Sequence, residues 1–498
     1  MHKDDQGENN FSAPSKAGRM PAWRVADMPS PPAWTLRNVL RIVGPGTIAL
    51  SVSIGAGEWI LGPRVTVEHG LSMLWIVTLA VLFQLACNLQ FIRYTVYTGE
   101  PIINGFMRTA PGPVVWGTVY ILLALCQMGW PAWAATSAAP LFAAVSGRLP
   151  TDQDSTAVLL LGVSSFILAV GIVGFGGKVE RMLEVVNWFM VTFIFSFLLV
   201  VCLLFVPPHI WWEGLIGFIG LTPEYDFEFV PASVAGRQSW LVLGGFAAFA
   251  AAGGMANLMT SNWVRDKGFG MGSLVGYIPS AVGGKKVRVY PVGTVFPITP
   301  ANLERWKGWW RYVLADQAVI WAMGCFLGMY LNCILAVAVM PANSEMEGLA
   351  AGAFQADFLR AHAGDTIAFL GFLNGFWILF GSQLVITDGF VRVSTDILWS
   401  GSSRVRRWAR DDIRHVYYTL IIAFAVWGAI AINLARPDVL VLIAANSAGF
   451  ILMFAAFHGL VLNHRFLPRE VRAPLWQQAG VVGTIVFYAM FFIQNLRG

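Results

Sequence analysis

Apolar residues in this chain come in long, nearly uncharged runs. Eleven such runs, near 42–63, 71–98, 113–141, 157–176, 182–206, 239–261, 313–340, 366–388, 414–434, 438–461 and 476–495, stand out. Each is about twenty residues or longer, enough for a helix to cross the roughly 30 Å hydrocarbon layer of a bilayer. Strands of a membrane barrel would alternate apolar and polar residues over about ten positions. The pattern predicts an all-α integral membrane protein of about eleven spans.

Two runs carry features that a lipid-embedded helix disfavours. In span 1, Ile54-Gly55-Ala56-Gly57-Glu58-Trp59 places two glycines and a carboxylate near mid-depth. Glycine weakens a helix interior, and a carboxylate in hydrocarbon is costly. The reading is a helix whose first half ends near Ile54 and whose second half starts near Glu58. Its freed backbone groups then line a cavity or meet a ligand. In span 6, Gly253-Gly254-Met255-Ala256-Asn257 permits a second break. Spans 1 and 6 are five spans apart, and a repeated unit of five spans inverts its topology. Broken helices at matching places in two inverted halves are the layout of many secondary transporters, with the site at mid-membrane between them. Gly55, Ala56, Gly57, Glu58, Gly253, Gly254, Met255 and Asn257 are therefore candidate substrate-binding residues, and Glu58 is also the candidate coupling group. Other polar residues within spans, among them Gln84, Asn88, Asn332, Asn374 and Gln383, read as interhelical hydrogen bonds. Asp388 reads as a residue at the cytosolic end of span 8 that reaches water.

The remaining segments are polar. Residues 1–36 are rich in Pro, Ser and charge, and lack the apolar core of a secretory signal. They read as a disordered cytosolic tail. The transporter core covers 37–475 as two five-span repeats, about 37–206 and 239–461, and 476–498 forms the eleventh helix and the exterior carboxyl end. A long insertion at about 265–311 contains two features. Gly284-Lys285-Lys286-Val287-Arg288-Val289-Tyr290, followed by Val292-Gly293-Thr294-Val295, suggests a small hairpin. Thr299-Pro300 then looks like a helix start. Beyond it, Leu303, Trp306, Trp309 and Trp310 form an apolar stripe beside Arg305, Lys307 and Arg311, the pattern of a helix lying on the inner leaflet.

Composition agrees. The 498 residues are 56% hydrophobic and 12% charged, about half the charged share of a soluble domain. A net charge of +5 would suit nucleic acid, but membrane orientation accounts for it. With a cytosolic amino terminus, only Arg64, Arg148, Arg237, Arg360, Arg436 and Arg497 of the 33 basic residues fall outside, as the positive-inside rule requires. The expectation is a multi-pass protein of the plasma (inner) membrane, embedded in the lipid bilayer, with an exterior carboxyl terminus and no nucleic-acid partner. The five cysteines, Cys87, Cys126, Cys202, Cys325 and Cys333, lie inside apolar runs, without metal-ligand spacing. No phosphate loop, nucleophile triad or cofactor fingerprint is present. An ATP-driven pump or an enzyme is therefore not expected, nor is a cofactor.

Several motifs resemble a known family. Arg41-Ile42-Val43-Gly44-Pro45-Gly46 opens span 1, and Gly55-Ala56-Gly57-Glu58 follows after eight residues. This is similar to the NRAMP family of divalent-metal transporters, where a Gly-Pro-Gly run precedes an Asp-Pro-Gly-Asn break. His69-Gly70-Leu71-Ser72-Met73-Leu74-Trp75, Tyr97-Thr98-Gly99 and Gly177-Lys178-Val179-Glu180-Arg181 extend the resemblance, which covers about 41–468. It implies the LeuT-type fold, a five-plus-five inverted repeat with broken helices 1 and 6. It also implies metal transport, with Glu58 and Met255 as the metal ligands left here, and places Asn446 and Ser447 of span 10 near the site. The departures are specific. The family's metal-ligating Asp is Gly55, its Pro is Ala56 and its Asn is Glu58. Its Met-Pro-His in span 6 is matched by Met255-Ala256-Asn257. Gln127, Trp130 and Pro131 stand where the family has acidic residues in span 3.

Three functions stay open at this point: a coupled carrier of divalent cations, a coupled carrier of a small anionic or zwitterionic solute, and a non-transporting receptor. In the second, glycines at 55, 57, 253 and 254 would open space and a half-helix N-terminus would hold the anion. Topology is directly testable. With Ser15→Cys and Ser344→Cys introduced singly, an impermeant thiol reagent on intact cells is expected to label position 344 and spare position 15; the reverse pattern would invert the assignment.

Overall fold

The structure, a computed structural model, describes residues 18–175, 179–278, 289–342, 344 and 346–497, without the side chains of 175 and 179–183. Among these, nine helices are each long and apolar enough to cross a bilayer, and the pair Leu36–Ile42 and Pro45–His69, bent by 57°, brings the number to ten. Span 6 is two shorter helices, Gly236–Phe249 and Met255–Lys267.

Local chemistry marks the ends. Pro45, Pro113, Pro300 and Pro437 occupy first helical positions, where a missing N–H costs nothing and the fixed φ suits the helix. Span 2 stops at Gly99, which takes a left-handed φ of 70°, a conformation that other residues avoid.

Three spans are interrupted. In span 1, Pro45–Ser53 ends at Ile54 (φ −73°, ψ 65°), and the chain re-enters a helix through a wide turn at Gly57–Leu61 before Gly62–His69. In span 6, residues 250–254 separate the halves. Span 3 is split as well, into Pro113–Met128 and Ala132–Ser146. Pro131 has no N–H to carry the ladder across that gap.

Four sequence expectations change. The tail is ordered from residue 18 onward: Met20, Trp23 and Met28 are buried, and Arg24–Val25 pairs in parallel with Thr294–Val295. Residues 1–17 lie outside the described residues. The hairpin strand at 294–295 thus pairs with the amino-terminal segment; residues 279–288 lie outside the described residues. The surface helix is instead the first part of one 40-residue helix, Pro300–Val339. Its Trp306 and Trp309 are buried, and Trp309 Nε1 donates to the Pro29 carbonyl at 2.8 Å. Span 8 reaches much further than its apolar run, through Phe354–Gly401, with a non-helical turn at Gly364 (φ 79°).

A buried ion pair fastens the amino-terminal segment. Arg108 donates to both Glu100 oxygens (2.8 and 2.5 Å) and to the Pro21 carbonyl (2.8 Å), and lies 4.4 Å above the Trp23 ring. Burial pushes the Glu100 carboxyl up, but Arg108, Tyr94 and the Gly293 N–H together hold it below its ordinary value. A depressed carboxyl contributes stability above its unfolded value and loses it as pH falls through the folded one. Removing one partner of such a pair costs about 3–5 kcal/mol. Arg108→Met is expected to lower the melting midpoint in detergent and to expose residues 18–34 to protease; an unchanged cleavage pattern would show that the strand and Trp23 suffice.

Candidate functional site

The two main breaks meet. At Gly57, a Cβ would lie 2.6 Å from the Phe249 carbonyl carbon and 2.7 Å from its Cβ. Only glycine allows span 1 to touch the end of the first half of span 6 so closely. A Cβ at Gly55 would meet Ser382 Oγ of span 8 at 2.7 Å. These two glycines are filled in by neighbours rather than opening space. Ala56 is fully buried between them.

In span 6 the glycines serve the backbone. Gly253 (φ 74°) and Gly254 (φ 52°) both take positive φ. The polar groups they release are taken up by two glutamines. The Gly253 N–H donates to Gln84 Oε1 (2.9 Å), the Met255 N–H to Gln127 Oε1 (2.8 Å), and Gln127 Nε2 to the Gly253 carbonyl (3.1 Å). Gln84 Nε2 also donates to the Ala248 carbonyl (3.1 Å) and the Tyr488 hydroxyl (2.8 Å). The reading of Gln84 as an interhelical hydrogen bond fits this. Gln127, noted only as a departure, turns out to hold the break.

Asn257 begins a buried polar chain. Its Nδ2 donates to Asn88 Oδ1 (2.9 Å), Asn88 Nδ2 to Gln317 Oε1 (3.1 Å), and Gln317 Nε2 to Asp316 Oδ2 (2.8 Å). Asp316 then accepts from the Gly44 and Gly46 N–H groups (2.9 and 2.8 Å), capping the start of Pro45–Ser53. The Gly-Pro-Gly run is therefore a helix start capped from span 7.

Glu58 is different. It is wholly buried, and neither carboxylate oxygen has a hydrogen-bond partner among the described residues. It points at span 7, where Gly328 leaves room: a Cβ there would lie 2.9 Å from Glu58 Cδ. Cys325, Gly328, Met329, Asn332 and Cys333 recur on that helix at the spacing of one face. Beside Gly62, Met329 Sδ and Cys333 Sγ lie 2.5 and 3.1 Å from where a Cβ would stand. Met255 is fully buried at the first position of the second half of span 6. Among the described residues, no three of His, Cys, Asp and Glu form a group that could hold a metal ion.

Span 10 reaches the break through Ala448, whose Cα is 2.7 Å from a Cβ position at Gly254. Asn446 is committed elsewhere. Its Nδ2 donates to the Leu241 and Leu442 carbonyls (3.1 and 2.9 Å), and its Oδ1 accepts from Asn495 (3.0 Å). With Ser447 it lines a cavity of about 430 Å³ between spans 3, 6, 10 and 11.

A second buried network was not foreseen. Asp388 is fully buried rather than reaching water. Arg392 donates to both of its oxygens (2.8 Å each) and also pairs with Asp266, and Tyr417 donates to it at 2.7 Å. Arg265 joins Asp266 (2.7 Å) to Asp396 (2.6 Å). The signal was the spacing of Asp388, Arg392 and Asp396 at four-residue intervals on one helix face.

No protein-family model matches the chain, and no curated protein matches it in sequence. Solved structures do match in shape. A mutant form of a manganese transporter from Eremococcus coleocola is 13% identical, with a TM-score of 0.60 over 96% of this chain and 89% of that one. Mhp1, a nucleobase-cation-symport-1 family transporter, is 12% identical, with a TM-score of 0.51 over 97% and 95%. The fold is the LeuT type. It carries the five-plus-five inverted repeat whose broken helices 1 and 6 meet at Gly57 and Phe249.

The glutamine bonds are open to test. Gln127→Leu strands the Met255 N–H and the Gly253 carbonyl, each lost partner costing roughly 1–3 kcal/mol. The expected result is a lower melting midpoint in detergent, restored in part by Gln127→Glu; an unchanged midpoint would mean that water replaces the side chain.

Proposed function

We propose that this chain is a secondary transporter of divalent cations, an NRAMP-like protein with an altered site, in which Glu58 binds the transported or coupling ion. The carrying observation is the enclosed Glu58 carboxylate beside the break, with no hydrogen-bond partner for either oxygen among the described residues. A buried carboxylate without donors or a counter-charge is costly. A proton or a metal cation removes that cost, and release on the other face restores it, which is the thermodynamic requirement for coupling.

Sulfur supports a transition metal over a hard ion. Met255 stands at the break, and Met329 and Cys333 of span 7 place their sulfurs beside Gly62, one turn after Glu58. Soft sulfur favours such metals, whereas Mg²⁺ and Ca²⁺ take oxygen. The anionic-solute reading is weakened. The Met255 N–H at the half-helix start already serves Gln127, and the glycines at 55 and 57 pack against neighbours. On this reading the protein sits in the plasma membrane with its amino terminus in the cytosol.

Uptake into proteoliposomes tests this. Glu58→Gln is expected to reduce Mn²⁺ or Cd²⁺ uptake at least about tenfold at normal expression, the loss of one charge-assisted ligand. Met255→Ala is expected to weaken Mn²⁺ and Cd²⁺ selectively against Mg²⁺ in calorimetric titration. Full uptake by the Gln variant, or a flat titration of folded wild type with both Mn²⁺ and Cd²⁺, would transfer the proposal to a small solute.

A further inference from the structure

The geometry points to a second binding site, for the phosphate headgroup of an anionic membrane lipid, in the groove between residues 30–34 and the start of Pro300–Leu314. The site is independent of the transported substrate.

The groove is a built feature. Its volume is about 580 Å³, and Pro31, Pro32 and Trp34 form one wall against Lys307, Gly308 and Arg311 on the other. Both walls are pinned. Tyr312 donates to the Ala33 carbonyl at 2.9 Å, Trp309 to Pro29 at 2.8 Å, and Arg305 to Met28 at 2.8 Å. Gly308 lets the two strands of chain touch, since a Cβ there would stand 2.6 Å from Pro31 Cγ.

Its charge is one-sided. Lys307 and Arg311 are exposed and four residues apart, so they share a helix face. Neither makes an ion pair among the described residues, and Glu304 is the one acid in the described lining. Arg41 lines an adjoining cavity of about 330 Å³.

Exposed apolar groups follow in one short stretch of chain: Trp34 lines the groove with these cations, and Leu36 and Leu40 come just after it. Trp34 is 51% exposed, Leu36 75% and Leu40 58%. Leu36 and Leu40 occupy one face of the short helix Leu36–Ile42, with Arg37 and Arg41 on the next. Apolar side chains bordered by Lys and Arg are the pattern of a segment seated at the headgroup boundary. A soluble phosphate would use the cations and leave Trp34, Leu36 and Leu40 in water. A lipid uses both, its headgroup at Lys307 and Arg311 and its acyl chains along the leucines. Inner leaflets supply such anionic lipids.

The test is native mass spectrometry of the full chain in neutral detergent, with dioleoylphosphatidylglycerol or dioleoylphosphatidylcholine added. Wild type is expected to retain the anionic lipid and not the zwitterionic one, and inorganic phosphate at about 10 mM should leave the lipid bound. Lys307→Gln with Arg311→Gln is expected to lower retention roughly tenfold. Both side chains are exposed, so the melting midpoint in lipid-free detergent should match wild type. Arg404→Gln with Arg407→Gln, at another exposed basic helix, should retain the lipid, whereas Leu36→Ser with Leu40→Ser should lose it. Equal retention by the two basic double variants, equal retention of both lipids, or complete displacement by phosphate would overturn the assignment.

Discussion

Backbone groups released inside hydrocarbon find no water, so the protein must supply their partners. Gln84 and Gln127 do this for the break in span 6, and much of the bundle follows from it. Each glutamine ties its own span to residues 248–255 through two contacts. That draws spans 2 and 3 against the centre. With the break held, the end of Gly236–Phe249 is close enough to accept Gly57 and nothing larger. The same requirement recurs at the start of span 1, where Asp316 answers two N–H groups from span 7.

Asp316 and Glu58, one at the start of span 1 and one at its break, have opposite surroundings. Asp316 accepts three hydrogen bonds, from Gly44, Gly46 and Gln317. Glu58 accepts none among the described residues. An acid whose oxygens are fully engaged is part of the frame. On the proposed function, one enclosed without donors is the group whose state depends on an arriving ion, the division of labour that paired acids show when their environments differ. The polar chain from Asp316 through Gln317 and Asn88 to Asn257 joins the cap of span 1 to the second half of span 6. The two broken helices are thus linked at two levels, by packing at Gly57 and by hydrogen bonds below it.

Hydropathy revealed the spans because burial in lipid imposes a single simple demand on every position. It failed where charges neutralise one another. Asp388, Arg392 and Asp396 ended the apolar run of span 8 early, although the helix continues to Gly401. The break in span 6 was legible in Gly253 and Gly254, since two adjacent glycines signal unusual φ. That Gln127 closes it was not, because the partner lies 128 residues away. The glycines of span 1 invited the idea of open space, whereas their neighbours, Ser382 and Phe249, come from distant segments. Order in residues 18–35 was hidden for the same reason. A short polar segment with Trp23 and Met28 looks unstructured until Arg108 and the helix Pro300–Leu314 are placed beside it.

The pairing inside span 8 also bears on how the chain enters the membrane. A lone Asp or Arg at the centre of an inserting helix costs about 2.5–3.5 kcal/mol. Asp388 and Arg392 face each other one turn apart on the same helix, so this segment can present itself to the bilayer as a largely neutralised rod. In span 6 Arg265 pairs with its sequence neighbour Asp266. Each segment can therefore partition into lipid before its partner arrives, and the cross-links Arg265–Asp396 and Arg392–Asp266 then exchange local neutrality for a joint between them. Charges that look like obstacles to insertion serve, once both helices are in place, as the means by which the bundle selects its final neighbours.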